Sequence, residues 1–242
     1  MKISVAQTRP IKGDIKLNIE NHKKLINLAL DHGAEAIIFP ELSITGYEPE
    51  LATELATTQD DARFEDLQKI SNTGNIIIGV GVPTKNVTGT CISMILFQPN
   101  QPRQTYSKKY LHDSEDKYFV SGQNDKVVIH SKPEIALAIC YELSVPQHSE
   151  NAHKNGATIY LASVVEDING VDRAMAKLSS IGNKYAMTVA MSNCIGKTGA
   201  YHCPGKSSIW NNQGELAGQL NDINEGILIY DTVSSEVIEA SI

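Results

Sequence analysis

The feature that most restricts what this chain can fold into is a regular alternation of short, β-rich apolar runs with longer amphipathic stretches. Ile3–Ala6 reads as a strand. Ile15–His32 then carries apolar residues at Leu17, Ile19, Leu25, Ile26, Leu28, Ala29 and Leu30, a helical pattern stopped by Gly33. Ala36–Phe39 is a second strand, cut off by Pro40; Asp60–Thr73 reads as a helix and Asn75–Val82 as a strand. The middle is strand-dominated: Cys91–Phe97, a turn at Pro99-Asn100-Gln101-Pro102, then Lys126–His130 and Ile135–Ile139. Alternation returns with helix Val145–Asn155, strand Thr158–Ala162, helix Asp172–Tyr185 and strand Met187–Met191, and the chain closes with strands near Lys206–Trp210 and Gly226–Tyr230. A layered α/β protein follows, its sheets covered by helices and partly antiparallel. With 242 residues and no repeat or disordered linker, one domain over residues 1–242 is expected.

Charge and cysteine usage remove several classes of function. A net charge of -7 without a dense Lys/Arg stretch argues against a nucleic-acid partner, because phosphate recognition needs a basic face. The start, Met1-Lys2-Ile3-Ser4-Val5-Ala6-Gln7, turns polar too soon for a signal peptide, and no apolar run is long enough for a bilayer. A cytoplasmic protein with no membrane partner is expected. Cys91, Cys140, Cys194 and Cys203 lack metal-type or disulfide-type spacing, and the seven histidines form no ligand grouping, so neither a metal site nor a disulfide framework is expected. Gly79-Val80-Gly81 lacks the third glycine of a dinucleotide fingerprint and reads as a strand end.

Ligands of open α/β sheets bind beyond the carboxyl ends of strands, which singles out three places. Glu41 follows the strand Ala36–Phe39 amid apolar neighbours, where a carboxyl should be raised; the alternative is a helix cap or a solvated loop acid. Cys140 ends Ile135–Ile139 at a turn into a helix, where backbone N–H groups favour a thiolate and an oxyanion; the alternative is a buried core cysteine. Lys108 and Lys109 lie between aromatic residues in Tyr106-Ser107-Lys108-Lys109-Tyr110-Leu111, and one of them could point inward beside the other two groups; the alternative is a solvated pair. A base, a cation and a thiol at neighbouring strand ends fit cysteine-based acyl transfer.

These residues also resemble a known family. Phe39-Pro40-Glu41-Leu42-Ser43-Ile44-Thr45-Gly46-Tyr47, Tyr106-Ser107-Lys108-Lys109-Tyr110-Leu111 and Ala138-Ile139-Cys140-Tyr141-Glu142-Leu143 with Pro146 resemble, in order, the glutamate, lysine and cysteine motifs of the nitrilase superfamily of carbon–nitrogen hydrolases. Val5-Ala6-Gln7, the Asn18 region, Gly156-Ala157, Asn193 with Gly196, and Gly205-Lys206-Ser207-Ser208 are similar to its other landmarks. The resemblance implies a four-layer α-β-β-α sandwich, a Glu41–Lys108–Cys140 triad, no cofactor, and hydrolysis at a carbon–nitrogen bond. The motif register selects Lys108 over Lys109, and Glu115 matches the family's second glutamate. Tyr47, Tyr141, Glu142, Ser163 and Val164 are the expected substrate-binding residues.

The departures bear on substrate. Glu142 stands where many amidase-like members have Asp, Ser144-Val145-Pro146-Gln147 replaces an Arg-Phe-Pro-Glu stretch, and Lys184-Tyr185 replaces Glu-Asn. Nitrilase-type members tend to carry Trp at the position of Tyr141. The length leaves room for neither an appended ATP-using domain nor membrane spans, so a hydrolase of a small linear amide is expected, with an N-carbamoyl hydrolase, a nitrilase or a catalytically silent binding protein as alternatives. Self-association into a homodimer or higher homo-oligomer is expected as well, the dimer through Val145–Asn155 and Asp172–Tyr185 with Ala174, Leu178 and Ile181 as the apolar stripe at the contact.

Overall fold

The structure, a computed structural model, describes residues 1–124, 128–129 and 133–242. Its first half contains β1 (Lys2–Gln7), α1 (Ile15–Asp31), β2 (Ala36–Ile38), the short α2 (Ala52–Leu55), α3 (Glu65–Gly74), β3 (Ile77–Asn86), β4 (Gly89–Phe97) and β5 (Gln104–Ser107). Its second half contains β6 (Val128–Ile129), β7 (Ile135–Ile139), α4 (Pro146–Lys154), β8 (Ile159–Ser163), α5 (Val171–Tyr185), β9 (Thr188–Ser192), β10 (Ile195–Thr198), β11 (Tyr201–Pro204), β12 (Ser208–Trp210), β13 (Leu216–Gln219), β14 (Gly226–Asp231) and β15 (Val237–Ser241). One sheet runs β15-β14-β1-β2-β3-β4-β5, the other β13-β12-β9-β8-β7-β6, and β10 pairs with β11 as a separate ribbon.

Parallel pairing is confined to the centres of the sheets: β1-β2-β3 in the first and β7-β8-β9 in the second. Side chains on a strand alternate between faces, so consecutive residues serve different layers. Ile37 joins Leu25, Ile26, Ala29 and Leu67 beneath α1 and α3, whereas Ile38 joins Ile3, Val5, Leu137, Ile139 and Leu161 between the sheets. On the far side Ala138 and Ala162 meet Ala152, Leu178 and Ile181 beneath α4 and α5. Three apolar layers therefore separate four structural ones, giving the α-β-β-α sandwich, and they explain why the central strands are buried at every position.

Several boundaries differ from the sequence-based expectation. Asp60–Thr73 splits into a 3-10 turn, Ala62–Phe64, and α3, because the Asp61 side chain caps the turn at Arg63 N before the helix proper begins. β3 does not end at Gly81 but runs on to Asn86, pairing with β4 through Asn86 and Gly89. β10, β11, β13 and β15 were not expected. Of the expected strand Lys126–His130, Val128–Ile129 form β6, and residues 126, 127 and 130 lie outside the described residues. Ala174, Leu178 and Ile181 pack against the chain's own second sheet, so this stripe is core and is not free for a partner.

Candidate active site

Glu41, Lys108 and Cys140 each follow the last residues of a strand, and the two stacked sheets bring those ends together. The Glu41 segment crosses β3 at close range: Ile44 N–H donates to Gly81 O at 3.0 Å, and a Cβ on Gly81 would lie 2.3 Å from Pro40 O. His22 supports it from α1; its ring stacks on Phe39 at 4.0 Å and its Nε2 meets Ser43 Oγ at 2.9 Å. From the opposite sheet Ser163 Oγ donates to Phe39 O at 2.8 Å, tying the end of β8 to the glutamate segment.

Lys108 leaves β5 with its backbone N–H on Ile92 O, and its side chain is fully buried. Its Nζ donates to Glu41 Oε1 at 2.8 Å and to Glu115 Oε1 at 2.7 Å. Glu115 is held in turn by Tyr47 OH at 2.9 Å on the same oxygen and by His112 N–H at 2.8 Å on the other. Among the described residues every oxygen of these two carboxylates is thus engaged except Glu41 Oε2, which is buried with no partner at hydrogen-bond distance, while the Cys140 thiol acts on the same carboxylate.

Cys140 opens the 3-10 turn Cys140–Ser144 immediately after β7 and holds a φ of 42°, a left-handed conformation that few residues with a Cβ adopt. The half-buried thiol stands 3.9 Å from Val165 O and 3.9 Å from Glu166 Oε1. Beneath the turn Glu142 is wholly buried. Its Oε2 accepts from Ile139 N–H at 2.9 Å and Tyr106 OH at 2.7 Å, and its Oε1 from Lys109 N–H at 2.7 Å.

Electrostatics follow from this burial. Burial pushes the Glu41 carboxyl up to about 7, with Lys108 opposing the shift and Glu115 adding to it. Burial draws the Lys108 ammonium down, but Glu41, Cys140 and Glu115 outweigh it and hold it above its ordinary value. The Cys140 thiol is raised by burial and then by Glu41, against the pull of Lys108. The resting site therefore favours a neutral thiol, a permanent ammonium and a carboxyl that titrates near neutrality. Such an arrangement can pass one proton between sulfur, carboxylate and a departing group while the ammonium offsets negative charge.

The expected site residues take different places. Glu41, Lys108, Glu115, Tyr47 and Cys140 converge. Tyr141 is 39% exposed and stands edge-on to His112 at 5.4 Å. Ser163 and Val164 are buried, the latter in the layer beneath α5, and the groups that reach the sulfur are Val165 O and the Glu166 carboxylate. Glu166 was not anticipated, nor was Asn193 as its support: Asn193 Oδ1 accepts from Glu166 N–H at 3.0 Å and its Nδ2 donates to Glu166 O at 3.1 Å. Tyr47 and Tyr201 also line a cavity of about 680 Å³ together with Lys12, Lys117, Lys197, Glu48 and Glu50. Among the described residues, no group of three or more His, Cys, Asp or Glu could hold a metal, and no helix is long and apolar enough to cross a membrane.

Comparison with known proteins gives the family and the fold. The sequence profile of the carbon-nitrogen hydrolase family matches residues 2–241. The chain is 22% identical to a probable nitrilase of Schizosaccharomyces pombe, over 95% of this chain and 88% of that protein. It is 21% identical to a glutamine-dependent NAD(+) synthetase of Thermotoga maritima, and there it spans only 44% of the relative's length. Among solved structures it is similar to a mutant of the amidase from Nesterenkonia sp. AN1 that shows covalent addition of the acetamide moiety of fluoroacetamide at the active-site cysteine. The TM-score is 0.86 at 21% identity, covering 100% of this chain and 90% of that one.

Proposed function

The chain belongs to the carbon–nitrogen hydrolase family, and on that footing we propose that it hydrolyses the carbon–nitrogen bond of a small, non-peptide amide through a thioester on Cys140. The observation that carries this reading is the unpartnered Glu41 Oε2 in a site where Lys108 already holds Oε1. That oxygen is the acceptor for the thiol proton. As sulfur attacks the amide carbon, the Lys108 ammonium offsets charge on the carbonyl oxygen, and Glu41 returns its proton to the departing amine. Water then attacks the thioester, giving its proton to Glu41, and the acid leaves with the thiol restored. Glu115 and Tyr47 act through Lys108 by fixing the ammonium.

Ammonia release from a panel of simple amides tests the reading, with Cys140→Ala as the control. Turnover that persists in Cys140→Ala, or an intact protein that releases no ammonia from any amide, rules it out. The proposal extends to a homodimer through α4 and α5, using their outer residues since the inner stripe is core. Light scattering during gel filtration measures it: an active species of 26.4 kDa excludes the dimer.

A further inference from the structure

Glu166 brings a second negative group to the nucleophile, and the mechanism above does not use it. Its Oε1 lies 3.9 Å from Cys140 Sγ, and the thiol is the sole hydrogen-bond partner of this carboxylate among the described residues. Among the described residues no Lys, Arg or His nitrogen comes within 4 Å of it. Lys177 on α5 is drawn away to Ser144 Oγ at 2.7 Å, and Lys108 is taken by Glu41 and Glu115. Burial raises the Glu166 carboxyl, Asp167 adds to this, and only the distant attraction of Lys177, Arg173 and Lys108 opposes it.

The position is built rather than incidental. Asn193 clamps both the N–H and the carbonyl of Glu166, so the backbone that presents the carboxylate is fixed. Room for the side chain comes from Gly170, where a Cβ would stand 2.2 Å from Glu166 Oε2. Gly170 is also the residue that opens α5, so the positive end of a fifteen-residue helix lies beside the carboxylate and favours its ionised form. A carboxylate half out of water, without a counter-ion and beside the reacting sulfur, costs free energy unless the bound substrate neutralises it.

Resting on the amide-hydrolase reading, we propose that Glu166 is a specificity residue that binds a cationic group, such as an ammonium, carried by the acyl part of the substrate within a few bonds of the amide carbon. An acyl carbon attached to Sγ places its first substituents within reach of an oxygen 3.9 Å from that sulfur. An anionic substituent there would face Glu166 with no cation between them.

The test compares β-alaninamide, butyramide and succinamate, which are cationic, neutral and anionic amides of similar length, by kcat/KM for ammonia release with the wild-type chain and Glu166→Gln. The cationic amide should lead the neutral one by at least about tenfold, with the anionic one last. In Glu166→Gln the cationic-to-neutral ratio should fall by about the same factor, with circular dichroism confirming the fold. A ratio near one in the wild type, or one unchanged in Glu166→Gln, overturns the proposal while leaving the amide-hydrolase reading intact. A second readout needs no turnover: mass spectrometry follows alkylation of Cys140 by 2-bromoethylamine, iodoacetamide and iodoacetate. Loss of 2-bromoethylamine's advantage over iodoacetate in Glu166→Gln supports the assignment even if no amide in the panel is hydrolysed. Equal relative rates in both proteins overturn it.

Discussion

Lys108 Nζ sits 2.8 Å from Glu41 Oε1 and leaves Glu41 Oε2, on the same buried carboxylate, without a partner at hydrogen-bond distance among the described residues. Buried polar atoms are rarely left in this state, and a base that must accept a proton needs a lone pair not already committed. Replacing Glu41 by Gln keeps the shape and removes the basic oxygen. Glu41→Gln should therefore lower kcat by about 10²–10⁴-fold while circular dichroism and thermal melting show a folded protein. A variant within a few-fold of wild type would remove Glu41 from the reaction.

The pH dependence follows from the same oxygen. Burial holds the Glu41 carboxyl at about 7, so below that pH it is protonated and cannot take the thiol proton. kcat/KM should rise with pH through a midpoint near 7 and then level off, because Lys108 is held above its ordinary value and stays charged. The sign for stability is opposite. A carboxyl whose folded value exceeds its unfolded one of 4.5 favours the folded state most at low pH, and that contribution is lost as pH rises through about 7. Rate profiles from pH 5 to 9 check the first statement; a bell with its acid limb near the usual carboxylate range would contradict it.

Adjacent lysines should behave differently. Lys108 is fully buried between two carboxylates, whereas Lys109 is exposed, with its Nζ 5.5 Å from the Tyr110 ring centre. Lys108→Ala leaves Glu41 and Glu115 buried without their cation, a loss of about 3–5 kcal/mol by analogy with broken buried pairs, together with activity. Lys109→Ala should change stability by no more than about 0.5 kcal/mol and leave turnover close to wild type. Urea denaturation and ammonia release, run on both variants, decide it; equal effects would contradict the geometry.

Why one lysine was legible and Glu166 was not has a physical reason. Neighbouring residues at a strand end point to opposite sides, so a motif that fixes the register at Lys108 also turns Lys109 outward. Glu41 and Cys140 were readable because each stands at the carboxyl end of an apolar strand, Cys140 directly and Glu41 just past the Pro40 that stops it. Glu166-Asp167 looks like a solvated acidic turn in sequence. Its nearness to Cys140 arises only from the parallel register that sets Ile139 against Ser163, which carries the chain after β8 past the sulfur. The ribbon β10–β11 was hidden by Gly196, Lys197 and Gly199, which interrupt any apolar pattern. The layers were legible because all three cores draw on strands that are mainly apolar.

Glu142 links the two reacting segments from below, accepting from Ile139 N–H just before the cysteine and from Lys109 N–H just after the lysine. With Tyr106 OH as the third donor, only an acceptor fits the place. Glu142→Gln would turn an NH₂ group toward one of these donors, costing about 1–3 kcal/mol and loosening the spacing between Cys140 and Lys108. kcat should fall more than KM changes. A drop in melting temperature with unchanged kcat would confine Glu142 to a purely structural role.

A close backbone approach at the site gives the last prediction. At Gly81 a Cβ would lie 2.3 Å from Pro40 O, 2.4 Å from Leu42 N and 2.9 Å from Glu41 C, all of them main-chain atoms that cannot rotate away. At Gly79, two residues earlier on the same strand, a Cβ would meet Met94 Sδ at 2.6 Å and Ile38 Cγ2 at 3.2 Å, the ends of side chains that can move. Both Gly→Ala changes overpack the structure, and overpacking of a dense interior costs about 1–3 kcal/mol. Only Gly81→Ala must lift the Glu41 segment off β3, and it breaks the Ile44 N–H to Gly81 O contact as the segment moves. A displacement of this size misaligns Glu41 Oε2 with the thiol, and small misplacements of reacting groups can cost about 10²-fold in rate. Gly81→Ala should therefore lose activity well beyond its change in melting temperature, whereas in Gly79→Ala activity should follow stability. If the two variants lose activity in proportion to stability, the crossing of β3 does not position the base.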